Sequence, residues 1–231
     1  MYAATLRYAL VVVSALTGLV PGVRLAHLEV APPALRVEIS IHARRLWVIE
    51  GTDTLRSASI AVASGQTLRV GTRRWRFDTP RGRLLVLHKS EDPVWTPPEW
   101  HYVEIAVAQS LRVRALTTKG TRLSDGRVIA LRDSVVGIEA DGDSSFVALP
   151  LDEHIIFDST VFIPPVGSRN RRIVGELGRY ALDLGGGYLI HGTRDSTTIG
   201  TASTHGCIRL ADDDLAWVYE HVPLGAVVWV R

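Results

Sequence analysis

Residues 190–210 read IHGTRDSTTIGTASTHGCIRL and hold Cys207, the one cysteine of a 231-residue chain. The stretch grows out of an apolar run, Tyr188-Leu189-Ile190, that turns polar at His191, Gly192 and Thr193. An apolar run bounded by glycine reads as a short strand delivering His191 at its edge. Downstream, ADDDLAWVYEHV (211–222) opens with three aspartates, which suit the positive end of a helix dipole. It then sets Leu215, Val218, Tyr219 and Val222 on one face, so a helix is predicted there. GAVVWVR (225–231) closes the chain as a strand.

Further outward the two-residue period dominates. LRVEISI (35–41) alternates Leu35, Val37, Ile39 and Ile41 with polar residues, and RRLWVIEG (44–51) and SASIAVASG (57–65) continue it, predicting a meander to about Gly65. GRLLVLHK (82–89), HYVEIAV (101–107), LRVRAL (111–116), GRVIAL (126–131), SVVGIEA (134–140) and SFVALP (145–150) read as further strands. A second helix is predicted over NRRIVGELGRYALDLGGG (170–187), where Ile173, Leu177 and Tyr180 or Ala181 fall at helical spacing before a glycine stop. Many short strands with a few helices make the fold mainly β, a sandwich or barrel with helical cover.

Composition narrows the function. The chain is 46% hydrophobic with a net charge of +2, and its arginines are scattered, so the basic block of a nucleic-acid binder is missing. One cysteine excludes an intrachain disulfide and a multi-cysteine zinc framework. Residues 1–24 carry one basic residue, Arg7, before an uncharged stretch from Tyr8 to Val23. That pattern reads as an export signal, or as an uncleaved membrane anchor, with a linker containing Pro32 and Pro33 behind it. Either form places the remainder in the periplasm or cell envelope.

The chemistry gathers at Cys207. A free thiol, with a pKa of about 8.5, is mostly protonated at neutral pH, so a nucleophilic cysteine needs a base or a positive field. His191, sixteen residues upstream, and His205, two residues upstream, are the candidates. Residues i and i+2 share a face of an extended chain, but their side chains lie side by side, which aims His205 poorly at the sulfur. His191 is therefore the expected base, holding the sulfur ready as a thiolate, and His205 lines the site. Gly206 permits the torsions that turn backbone N–H groups toward an oxyanion. Arg209 either holds a substrate carboxylate or pairs with an acid such as Asp212.

These residues, IHGT, then IG, then STHGCIRL, an acidic helix start and a final GAVVWV strand, resemble the L,D-transpeptidase catalytic domain. The likeness extends over most of 35–231: LRVEISIHARRLWVIEGTDTLRSASIAVASG resembles the family's opening hairpins, and FDTPRGRLLVLHKSEDPVWTPPEWHY its Thr-Pro-x-Gly and Trp-x-Pro-Pro segments. VGELGRYALDLGGGYLIHGT resembles the segment leading into its histidine. The resemblance implies Cys207 as the acylated nucleophile and His191 as its base, oriented by a backbone carbonyl near Gly192. The backbone of His205, Gly206 and Cys207 would form the oxyanion site, with Arg209, Thr204, Gly192 and Tyr188 at the substrate. It further implies acyl transfer on peptidoglycan tetrapeptide stems, without metal or organic cofactor, to a stem amine or an envelope protein; with water as acceptor the outcome is carboxypeptidase activity. The segment from about Ala108 to Thr160 is longer than the family's usual connection, and a lid, an extra sheet and a partner surface are all open for it.

Rival readings are weaker. In papain-like peptidases the cysteine precedes the histidine and opens a helix, the reverse of the order here. A zinc module using His191, His205 and Cys207 lacks a fourth ligand at any recognisable spacing. A non-catalytic peptidoglycan-binding protein has no need of an intact His191 and Cys207. Trp95, Trp100 and Tyr102 are expected beside the substrate groove, Lys89 and Arg194 as partners for stem carboxylates or as solvated charges, and His42, His88, His101, His154 and His221 as structural or surface residues.

Overall fold

The computed structural model of the chain describes residues 35–139 and 145–231. The expected export signal or anchor, and the linker behind it, lie outside the described residues. Among the described residues no helix is long and apolar enough to cross a membrane.

The predicted meander is present. Strands β1 (Leu35–Ser40), β2 (Arg45–Glu50) and β3 (Asp53–Ala63) pair antiparallel in chain order. Their alternation puts Val37, Ile39, Leu46, Val48, Ile60 and Val62 on one face, all within 1% of complete burial. Such a face fixes register, since a slip of one residue would turn every one of these side chains to water. Strands β4 (Thr67–Val70) and β5 (Arg73–Arg76) form a separate hairpin, and β6 (Gly82–Leu85), β7 (His88–Glu91), β8 (Val94–Trp95) and helix α1 (Glu99–Ala108) follow.

Next come β9 (Arg112–Ala115), β10 (Thr121–Arg122), β11 (Val128–Arg132), β12 (Val135–Glu139), β13 (Phe146–Ala148), β14 (Ile155–Phe157) and β15 (Thr160–Ile163). They make two small sheets, ordered β10-β11-β12-β13 and β14-β15-β9. Leu123, Ile129, Val136, Ile138, Ile155 and Phe162 give this segment its own core. Residues 108–160 thus contribute sheet beyond the principal one. Helix α1 roots in it, with Tyr102 and Ala106 packed against Val161 and Ile163.

The last third runs β16 (Ile173–Val174), β17 (Tyr180–Asp183), β18 (Leu189–His191), β19 (Ala202–Thr204), β20 (Ile208–Leu210), α2 (Asp212–His221) and β21 (Val227–Val230). The principal sheet has the order β6-β21-β1-β2-β3-β20-β18-β17-β7, with β19 pairing with β3 at its side. Its two ends, β6 and β7, are separated in the chain only by Val86 and Leu87. Three Cα steps reach roughly 11 Å, so the sheet curls until its edges nearly meet. Val86 N donates to Ala226 O on the β21 side, and Leu87 N to Asp183 O of β17, so consecutive residues bond to the two ends of the sheet. The fold is thus mainly β and barrel-like, with Leu215 and Val218 of α2 and the adjoining Val222 completing the core.

Three expectations change. Residues 170–187 are not a helix: a 3-10 turn at Arg169–Arg171 leads into β16 and β17. Gly175 and Gly178 sit at φ +78° and +71°, conformations outside the helical region, and Asn170 is committed to tertiary bonds with Val136 N and Pro150 O. HYVEIAV is helical rather than extended, because Pro98 and Glu99 start α1 and the buried set is Tyr102, Val103 and Ala106, a helix face. GRLLVLHK divides into β6 and β7, which serve opposite edges of the curled sheet.

Candidate active site

Strands β18 and β20 lie side by side and parallel, with Ile190 opposite Ile208 and His191 opposite Arg209. Ile190 and Ile208 are at most 1% exposed on the core face. His191 and Arg209 consequently share the other face, and Cys207, two residues before Arg209, enters β20 on the same side. The crossover between the strands contains the 3-10 turn Ser196–Thr198, capped by Asp195, and β19.

His191 is 4% exposed. Burial, and then the positive charge of Arg209, push its pKa down to about 4, while the backbone of Gly192 and Leu177 works in the opposite direction. The Gly192 and Leu177 groups lie by the ring, but Nδ1 is buried without a hydrogen bond among the described residues. Burial pushes the Cys207 thiol up; the Leu189 backbone and Arg209 oppose this, and Asp183 adds to it. Sγ points at Gly187 O, 3.8 Å away, with no hydrogen bond to His191. Both shifts favour the neutral forms, thiol and imidazole. Desolvation of the two groups works against a thiolate–imidazolium pair.

The nucleophile loop is tightly built. Thr204, expected at the substrate, is 1% exposed and faces inward. Its hydroxyl donates to Cys207 O at 2.6 Å and accepts from Gly206 N at 3.2 Å, so it braces the loop and occupies one of the expected oxyanion donors. Gly206 has φ +144°, and a Cβ there would stand 2.8 Å from Cε1 of Tyr188. Tyr188 thus covers the loop. Gly192 serves a close crossing of two backbones: a Cβ on it would meet Gly178 Cα at 3.0 Å and Asp212 Oδ1 at 3.1 Å.

Arg209 is half-buried and makes no hydrogen bond or ion pair among the described residues. Its charge is felt by His191, Cys207 and Asp195. Of its two expected roles, pairing with Asp212 is not what the structure shows, which leaves the guanidinium available to an incoming anion. Lys89 and Arg194 are both engaged by protein: Lys89 Nζ donates to Val222 O at 3.1 Å, and Arg194 donates to Val174 O.

His205 turns away from the sulfur. Its Nε2 lies 2.9 Å from both carboxylate oxygens of Glu104 on α1, its ring stacks on Trp100 at 4.1 Å, and Phe77 meets it edge-on at 4.5 Å. That engagement removes it as an alternative base. Trp95 lies 6.2 Å from Trp100, whereas Tyr102 is only 4% exposed and belongs to the core rather than to a groove. His101 and His154, read as unconnected, face each other with Nε2 atoms 3.3 Å apart. Glu104 escaped the sequence reading because it lies 101 residues from its partner, with no local pattern to join them. Among the described residues no three His, Cys, Asp or Glu side chains gather as a metal site.

Comparison with known proteins follows the geometry. The family profile described as the L,D-transpeptidase catalytic domain (YkuD) matches residues 34–230. The chain is similar to the probable L,D-transpeptidase ErfK/SrfK of Salmonella typhimurium, 43% identical over 54 residues, and to the probable L,D-transpeptidase YbiS of Escherichia coli K12, 44% identical over 52 residues. These matches span 23% and 22% of this chain and only 18% and 17% of those proteins. It also overlays solved L,D-transpeptidases from Xylanimonas cellulosilytica (TM-score 0.45, 15% identity, 87% of this chain and 62% of that one) and Mycobacterium tuberculosis. The latter, L,D-transpeptidase 3 in complex with a faropenem-derived adduct, gives a TM-score of 0.44 at 15% identity over 86% of this chain and 60% of that one.

Proposed function

The chain belongs to the L,D-transpeptidase catalytic domain family, and on that premise we propose that it transfers acyl groups between peptidoglycan stem peptides through a thioester on Cys207. What supports the reading above all is the parallel pairing of β18 and β20, which sets His191 opposite Arg209, two residues past Cys207, on one face of the curled sheet. Residues 35–231 are the catalytic domain in this reading, and the N-terminal 30 residues export it to the periplasm or hold it at the membrane.

The chemistry follows from the state of the pair. With thiol and imidazole both neutral, proton transfer accompanies attack rather than preceding it. Sγ bonds to the carbonyl carbon that joins the third residue of a tetrapeptide stem, meso-diaminopimelate, to its terminal D-alanine, and His191 accepts the thiol proton. The C–N bond breaks, the proton passes to the departing amine, D-alanine leaves and the thioester remains. An acceptor amine, from a second stem or an envelope protein, then attacks the thioester; His191 takes the proton that the amine loses and passes it to the departing sulfur, the C–S bond breaks and the thiol is restored. The N–H of Cys207 meets the developing oxyanion, and Arg209 holds a stem carboxylate.

Intact-mass measurement after incubation with a carbapenem tests this. One adduct is expected on the wild type and none on Cys207→Ala. Tetrapeptide-bearing muropeptides then identify the acceptor: crosslinked dimers indicate transpeptidation, and tripeptides alone indicate water. A wild-type protein that neither forms the adduct nor consumes tetrapeptide overturns the proposal.

A further inference from the structure

We propose that Glu104 and Trp100 of α1 are positioning residues for the nucleophile, holding the Cys207 loop through the side chain of His205; the inference rests on the acyl-transfer reading above. Between Thr204, which is locked into the sheet, and Ile208, where β20 begins, only three residues carry the loop. Gly206 has no side chain, and the Cys207 side chain must remain free to react. His205 is thus the one residue whose side chain can tie this segment to the rest of the protein.

What it is tied to is rigid. A carboxylate only accepts hydrogen bonds, so His205 Nε2–H donates to Glu104, shared between two oxygens at 2.9 Å. Trp100 stacks nearly parallel to the ring, 16° between planes, and Phe77 closes the edge. Trp100 and Glu104 stand four residues apart on α1 and so flank one face of the helix. The helix is anchored independently of the active site. Tyr102, Val103 and Ala106 are 1–4% exposed, and Tyr102 and Ala106 cluster with Val161 and Ile163 of β15. Arg171 Nε donates to Pro97 O at 3.0 Å, and Glu99 pairs with Arg73 of the β4–β5 hairpin. Among the described residues no side chain other than His205 hydrogen-bonds to Glu104. The extra sheets of residues 108–160 thus reach the nucleophile through one helix and one imidazole.

A positioning role and a merely stabilising one predict different kinetics. Glu104→Ala should slow carbapenem acylation at saturation about tenfold or more, the scale expected when a reacting atom loses its placement, with half-saturation changed less than about twofold. Glu104→Gln, whose side-chain oxygen still accepts from Nε2–H, should recover most of the rate. Glu104→Ala combined with His205→Ala should be no worse than either alone, because both cut the same link. Wild-type acylation by Glu104→Ala, or a Gln variant no better than Ala, overturns the proposal. If the wild-type protein forms no adduct, the acyl-transfer reading fails separately. Alkylation of Cys207 by iodoacetamide, which needs no peptide, then decides. A rate and pH profile shifted in the Ala but not the Gln variant upholds the positioning link, and identical profiles overturn it.

Discussion

Replacing Gly206 with alanine probes whether the nucleophile loop depends on a conformation reserved for glycine. Two costs arise at that position. At φ +144° an L side chain is strained, which costs about 1–3 kcal/mol. The added methyl also meets Tyr188 Cε1 at 2.8 Å and Asp78 O at 3.3 Å, an overlap of the kind that costs about 1–3 kcal/mol in a packed interior. Together Gly206→Ala should lose roughly 2–6 kcal/mol, read as a fall in urea midpoint with the m-value unchanged. Acylation by a carbapenem should fall about a hundredfold, since relieving the overlap displaces Cys207 by a substantial fraction of an ångström. A second substitution separates the costs: Tyr188→Leu removes the ring edge, so the double variant should recover the overlap portion while the torsional portion remains. Stability within about 0.5 kcal/mol of wild type, at the ordinary level for a neutral surface change, together with unaltered acylation, would refute the reasoning.

Other consequences are equally open to measurement. His191 is kept neutral, with a folded pKa of about 4 against 6.5 when unperturbed. Between those values the unfolded chain binds the extra proton, so stability present above pH 6.5 is lost as pH falls toward 4, by about 3 kcal/mol. In His191→Asn the urea midpoint should therefore depend less on pH in that window, and identical slopes would contradict the burial argument. Arg209→Gln removes the charge that lowers the Cys207 pKa, so the pH profile for iodoacetamide alkylation should move upward and KM for a tetrapeptide donor should rise about tenfold; an unmoved profile and KM would remove Arg209 from the site. Gly178→Ala would drive a methyl to 2.8 Å from Gly192 Cα at φ +71°, whereas Gly187→Ala, at φ +83°, meets nothing within 4 Å. The first should cost roughly 2–5 kcal/mol and the second about 1–2 kcal/mol by denaturation; equal losses would show that the crossing at Gly192 is not tight.

The sequence by itself determined whatever depends on neighbours along the chain. Alternation at Leu35–Ile41 and its continuation through Val62 announced the meander, the three aspartates at 212–214 announced α2, and the Tyr188–Gly206 pattern around Cys207 carried the resemblance to the family. Periodicity failed where packing outweighed it: Gly178 broke an apparent helix because the chain must cross Gly192 there, and Tyr102-Val103-Glu104 looked extended until Val161 and Ile163 showed which side was buried. Only the tertiary structure decided that β6 and β7 close the sheet from opposite edges, that burial shifts His191 and Cys207 toward their uncharged forms, that Arg209 stands without a partner among the described residues, and that Glu104 grips His205 across 101 residues. The physical reason is range: backbone propensity and side-chain alternation act over a few residues, whereas desolvation, charge and hydrogen bonding depend on which atoms the completed fold brings together.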